Sequence, residues 1–162
     1  MILKTGDVVL TRSNKFMSKA IRFFTKTNFS HAGVIVMNWD TPFINEALGK
    51  GLTASPFLDA YKGHYIRISR PDYKFIEKDF ATKANSKIGI TGYDFSSLLW
   101  YQAVFQITGH WYGHSENFST DKFYCTEYVG WMHEPIFSQW WTTSPKEIEE
   151  NKHLTTIFEG IL

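Results

Sequence analysis

Turn-forming clusters cut the first seventy or so residues into short apolar, β-branched runs, and this spacing constrains the fold more than any other feature of the chain. Asp7 to Thr11 follows a Gly-Asp turn, and His31 to Met37 and Phe43 to Leu48 flank the turn-rich stretch Asn38-Trp39-Asp40-Thr41-Pro42. Gly49 and Gly51 lead into Leu52 to Ser55, and Tyr65 to Ser69 alternates with the period of a half-buried strand. Connections this short join antiparallel neighbours, because a parallel pair needs a long crossover. The expected core is an antiparallel meander of roughly five strands, or a partly closed barrel.

Helical periodicity dominates elsewhere. From Ser13 to Lys26, Phe16, Met17, Ala20, Ile21, Phe23 and Phe24 recur at helical spacing, with Lys15, Lys19, Arg22 and Lys26 between them. Tyr73, Phe75, Ile76, Phe80 and Ala84 suit a surface helix between Pro71 and Ile88. Asp94 is placed to cap a nearly all-apolar helix from Phe95 through Ile107, which Gly109 would end before a polar loop from His110 to Lys122. Helical spacing returns from Thr126 to Met132, and Ser144-Pro145-Lys146-Glu147 is a capping box with proline at the first helical position. Leu154 to Phe158 reads as a returning strand. The class is therefore α+β, with the sheet packed against helices in one domain over residues 1–162.

The formal net charge of +1 gives no broad electrostatic footprint for a phosphate backbone, so nucleic acid is not expected as a partner. No apolar run reaches the ~20 residues a membrane-spanning helix needs. The longest candidate, Leu98 to Ile107, is interrupted by Gln102 and Gln106. The N-terminal MILKTGDVVL lacks the parts of an export signal, and a lone cysteine cannot form an internal disulfide, so the chain as it stands is expected in the cytoplasm.

That cysteine, Cys125, precedes an apparent helix start, where the positive end of the helix dipole favours a thiolate. Taken alone it reads more readily as a buried structural thiol. His31 opens a strand before Ala32-Gly33, whose small side chains leave room beside the imidazole; a strand-end histidine bonded to backbone is the ordinary alternative. Glu46 lies in the apolar strand that should pair with the one carrying His31, where it would either orient the imidazole or point to solvent. Together the three supply a nucleophile, a base and an orienting acid. His110 and His114 stand four apart, but no HExxH carboxylate accompanies them and no third ligand is identifiable, so neither metal nor cofactor is expected. Trp131, Trp140 and Trp141 read as core or groove wall.

Five motifs in order carry a family resemblance over residues 6 to about 146: Gly6-Asp7-Val8-Val9, Ser30-His31-Ala32-Gly33-Val34, Glu46-Ala47, Gly92-Tyr93-Asp94-Phe95 and Tyr124-Cys125-Thr126-Glu127. In these the chain resembles the permuted papain-like amidases of the YaeF/YiiX type, within the NlpC-like superfamily. The resemblance implies a circularly permuted papain-like fold in which histidine and its acidic partner precede the cysteine. It implies Cys125 as nucleophile, His31 as base and Glu46 as third member, and gives Gly6-Asp7 and Tyr93-Asp94 no catalytic part. Thr126 stands where many relatives have serine, and the aromatic stretch between Phe95 and Phe123 has no counterpart in the motif pattern. The expected activity is hydrolysis of an amide bond, in a small or cell-wall peptide, through an acyl-enzyme, with the Cys125 N–H as one oxyanion donor. A thioester-forming acyltransferase or a hydrolase of lipid-like acyl groups, as in the related lecithin:retinol acyltransferase branch, is the neighbouring alternative. A non-catalytic binding domain on the same scaffold is the alternative of another class.

Overall fold

Alternation along the N-terminal strand organises both faces of the sheet, since Val8 and Leu10 turn into one apolar cluster and Val9 into another. The computed structural model describes residues 1–12, 22–23, 26–93, 104, 108 and 122–162. Its elements are β1 (Val8–Arg12), β2 (His31–Asn38), β3 (Thr41–Leu48), β4 (Gly51–Pro56), α1 (Phe57–Tyr61), β5 (Tyr65–Pro71), α2 (Glu77–Asn85), β6 (Gly92–Tyr93), β7 (Lys122–Phe123), α3 (Cys125–Met132), α4 (Pro145–Glu150) and β8 (Leu154–Ile161). Short 3-10 turns at Glu134–Ile136 and Trp140–Thr142 separate α3 from α4.

Six strands form one sheet in the order β4-β3-β2-β1-β5-β8, antiparallel throughout, and β6 pairs parallel with β7. The expected meander holds from β1 to β4 and fails at β5, which crosses to the free side of β1. With β8 beyond it, the sheet ends in two edges and is not closed into a barrel. The cause is α1, a helix that the sequence reading did not include. It follows Pro56 directly, and its Phe57 and Tyr61 are buried with Ile35, Ile44, Ile66 and Ile68, so the chain is drawn across that face on its way to β5.

The opposite face carries the larger cluster, in which Val8, Leu10, Ala32, Val34 and Val36 meet Tyr128, Val129 and Met132 of α3. Each such side chain contributes about 1.5–3 kcal/mol when fully buried, enough to fix the helix on β2. The start of α3 is set by Tyr124, whose extended backbone precedes the first turn and whose N–H donates to Glu127 Oε2 at 3.2 Å. At Gly130 a Cβ would stand 2.4 Å from Thr143 Oγ1 and 2.8 Å from the Trp140 carbonyl oxygen, so glycine lets the 140–143 turn press against the helix. Thr126 Oγ1 ties that turn down by donating to the Thr143 carbonyl at 2.6 Å.

The reading of a helix between Pro71 and Ile88 is corrected to Glu77–Asn85. Tyr73, Phe75 and Ile76 precede it in extended chain, where Phe75 packs on Phe80 and the Tyr73 hydroxyl meets His133. The capping box at Ser144 forms as expected, with Ser144 Oγ accepting from the Glu147 N–H at 3.2 Å and Glu147 Oε2 from the Ser144 N–H at 2.7 Å. All of the Asp94 to Ile107 helix but Val104, most of the Ser13 to Lys26 helix and the His110/His114 pair lie outside the described residues.

His133, wholly buried behind α3, has Nδ1 2.9 Å from the Tyr73 hydroxyl. Burial first, and the Lys83 cation second, push it down to about 3, so the folded protein holds it neutral. The unfolded chain takes up a proton near the ordinary 6.5, so stability is full above that pH and falls as pH drops towards 3. The slope is about 1.4 kcal/mol per pH unit. His133 should therefore contribute about 2 kcal/mol to the difference in denaturant unfolding between neutral pH and about pH 5, a contribution that His133→Phe removes. Identical pH dependence in the two proteins would show that His133 is not responsible.

Candidate active site

The β2–β3 ladder stops short of the end of β2. Its pairing runs from Asn38 opposite Thr41 to Val34 opposite Asn45, while β3 stays paired with β4 through Glu46, Ala47 and Leu48. The two strands therefore part beyond Val34. Gly33 sits at the fork, where a Cβ would lie 2.7 Å from Ile44 Cδ1 and 3.0 Å from the Asn45 carbonyl oxygen. Beyond the fork Ala32 is no longer paired with β3, and its N–H is among the groups that favour the Cys125 thiolate.

This parting lets residues from opposite faces meet. Along β2 and β3, His31 and Glu46 fall on the side of Ile35 and Ile44, the face that α1 covers, whereas α3 packs on the other. His31 Nε2 lies 2.5 Å from Glu46 Oε2, and the Tyr61 hydroxyl donates to the same oxygen at 2.5 Å. His31 also interacts electrostatically with the Cys125 side chain. With Nε2 occupied by Glu46, Nδ1 is the nitrogen left for the sulfur. The order is therefore Tyr61, Glu46, His31, Cys125, contributed by α1, β3, β2 and α3. Cys125 is 2% exposed, and the side chains of His31 and Glu46 are 19% and 6% exposed.

Electrostatics bind the row together. Burial pushes the Cys125 thiol up, but the His31 charge, the hydrogen bond to His31 and the N–H groups of Ala32 and Thr126 outweigh it and bring the thiol below its ordinary range. Burial likewise acts to lower His31, and the charge and hydrogen bond of Cys125, followed by those of Glu46, lift it to about 10. Glu46 is held below the usual carboxylate range despite burial, through its hydrogen bond to His31, the His31 charge, the Tyr61 hydroxyl and the His64 charge. Cys125 and His31 titrate as one unit, and the arrangement favours thiolate and imidazolium over two neutral groups. Such a pair can deliver a nucleophilic sulfur and a proton donor on adjacent atoms.

All three residues singled out from sequence thus come together. Tyr61 was not among them. The signal that could have found it is the burial need of a carboxylate with one nitrogen partner, which calls for a second donor. The Gly6-Asp7 motif has a structural part, because Asp7 is paired with Arg70 at the far end of β1.

No protein-family model matches the chain. It is similar to the uncharacterized protein YiiX of Escherichia coli K12, with 26% identity over 130 residues, covering 78% of this chain and 55% of the relative. The chain spans about half the length of that curated relative. The fold is also similar to the crystal structure of the metalloprotein YiiX from Escherichia coli O157:H7, with a TM-score of 0.74, 19% identity and 100% of each chain covered.

Proposed function

We propose that this chain is a cysteine-dependent acyl-transfer enzyme that hydrolyses amide bonds, with Cys125 as nucleophile, His31 as acid and base, and Glu46 as the group that orients His31. One observation carries the reading: His31 Nε2 lies 2.5 Å from Glu46 Oε2 while the imidazole is electrostatically coupled to Cys125, with the thiol shifted down and the imidazole up. The similarity to YiiX and the chain order His31, Glu46, Cys125 support a circularly permuted papain-like scaffold.

The Cys125 thiolate attacks the carbonyl carbon, forming a C–S bond and a tetrahedral oxyanion beside the first turn of α3. The Cys125 N–H, at the first helical position with no intrahelical acceptor, is the donor placed to receive that charge. The C–N bond then breaks as His31 gives its Nδ1 proton to the leaving amine. Neutral His31 next takes a proton from water, whose oxygen attacks the thioester, and the acid product leaves with the thiolate restored. Glu46 stays ionised throughout and holds Nε2.

YiiX is described as a metalloprotein, which raises the question of a metal here. Among the described residues no three His, Cys, Asp or Glu side chains are grouped to hold an ion. Cys125 and Glu46 address opposite sides of one imidazole, so the three donors form a line, whereas zinc needs ligands about 2.0–2.3 Å from a common centre. As folded, the site does not fit a metal, and no step is routed through one.

The test is the iodoacetamide alkylation rate of Cys125 against pH. A free thiol near ~8.5 loses about tenfold in rate for each pH unit below its pKa. Cys125 should retain its rate well below neutral pH, slow in absolute terms because the sulfur is 2% exposed, but nearly flat in profile. With an amide substrate, kcat/KM should fall above about 10, where His31 loses the proton that the leaving amine requires. An alkylation profile that tracks a model thiol would overturn the assignment.

A further inference from the structure

The hydroxyl of Tyr61 is a buried donor whose partner could have been any nearby carbonyl. It goes instead to Glu46 Oε2, the oxygen already engaged by His31 Nε2, at the same 2.5 Å. Tyr61 is 6% exposed, and its ring is packed in the apolar face against Phe57, with ring centroids 5.6 Å apart. We propose that Tyr61 is a positioning residue of the relay, whose hydroxyl fixes the Glu46 carboxylate against His31 and keeps the shared proton on the imidazole. The inference rests on the cysteine-hydrolase reading of the same site.

A carboxylate that is 6% exposed beside an imidazolium has two stable proton arrangements, the ion pair and the neutral pair. The neutral pair would withdraw the positive charge that holds Cys125 as a thiolate. A second donor on Oε2 stabilises the ionised carboxylate more than the neutral acid, and so favours the ion pair. Tyr61 is suited to this because burial and the Glu46 charge hold its own ionisation far above any working pH, so it remains a donor throughout. The groups facing Glu46 are His31 from β2, Tyr61 from α1 and His64 from the turn after α1, whose ring stands edge-on to Tyr61 at 5.6 Å. Cys125 lies at the other end of the row, on α3.

Tyr61→Phe keeps the ring and removes the hydroxyl. The expected result is an acid limb of Cys125 alkylation displaced upward by about one pH unit, with kcat down about tenfold and KM changed less than about twofold. Replacing Tyr61 with 2,3-difluorotyrosine makes the hydroxyl a stronger donor at nearly unchanged size, and should move the same limb downward. A loss of packing cannot produce shifts of opposite sign, so this second variant separates positioning from structure even if Tyr61→Phe is poorly folded. An acid limb that stays in place in the fluorinated protein would overturn the role of Tyr61. If instead the wild-type protein alkylates like a model thiol, the hydrolase reading fails first, and that outcome is seen before either variant is made.

Discussion

Replacing Cys125 with alanine is expected to lower kcat on an amide substrate by at least about 10⁴-fold, because the proposed covalent mechanism loses its attacking atom and keeps only binding and oxyanion contacts. Fold should survive, since alanine is apolar and the sulfur contributes little to a core built on Tyr128, Val129 and Met132. A second change should accompany the loss. The charge of Cys125 and its hydrogen bond are the leading influences that lift His31, so in Cys125→Ala burial gains ground and the imidazole should titrate well below the value of about 10 it has in the wild type. Proton NMR titration of His31 reads this directly and needs no substrate. Mass spectrometry should find a thioester adduct on wild-type Cys125 and none on the variant. Turnover within about tenfold of wild type in Cys125→Ala would overturn covalent catalysis, and a His31 pKa that does not move would break the link between thiolate and imidazolium on which the site depends.

Much of this site could be read from sequence because its main residues are placed by local rules. Alternation and a short turn suffice to pair the strands of His31 and Glu46, and the step from Tyr124 to the helical run suffices to put Cys125 at a helix start. The parts that escaped depend on contacts no local pattern encodes. Helix α1 is only five residues long, too short for hydrophobic periodicity to register, yet it both sends β5 to the far side of β1 and delivers the Tyr61 hydroxyl. The fork at Gly33 depends on how Ile44 and the Asn45 carbonyl crowd that glycine, a matter of packing across strands. The β2–β3 pairing ends at Val34 opposite Asn45, which leaves the Ala32 N–H free of β3. Asn45, wholly buried beside the fork, donates from Nδ2 to Asn85 Oδ1 at 2.9 Å, a link between β3 and α2 that joins residues forty apart in sequence. The residue types were thus legible, while the geometry that makes them a unit arises from tertiary structure.

Arg70→Met should destabilise the fold by about 3–5 kcal/mol, the usual range for stripping the partner from a buried charge. Asp7 is 1% exposed, and its carboxylate takes both Arg70 Nε on Oδ1 and Nη2 on Oδ2 at 2.8 Å, with the Lys4 N–H also on Oδ2 at 2.8 Å. Arg70 also donates from Nη2 to the Ile2 carbonyl at 2.8 Å, so one guanidinium joins β5, β1 and the N-terminal segment. Removing the arginine leaves a carboxylate with one backbone donor. Asp7→Ala should cost less, because the Arg70 side chain is 30% exposed and can turn towards solvent. The double variant Asp7→Ala with Arg70→Met should be more stable than Arg70→Met alone, since the stranded charge is gone. Denaturant unfolding of the three variants closes this cycle. Strictly additive losses would mean the pair is not coupled, and Arg70 would then matter only for its packing and its hold on Ile2. The site should register little of this, because Asp7 faces Ile35 while His31 faces Thr11, four residues further along β1 and roughly 13 Å away at about 3.3 Å per residue. Stability should therefore fall while the thiolate signature of the folded fraction stays intact, which separates the scaffold's requirement for its Gly6-Asp7 motif from the chemistry at Cys125.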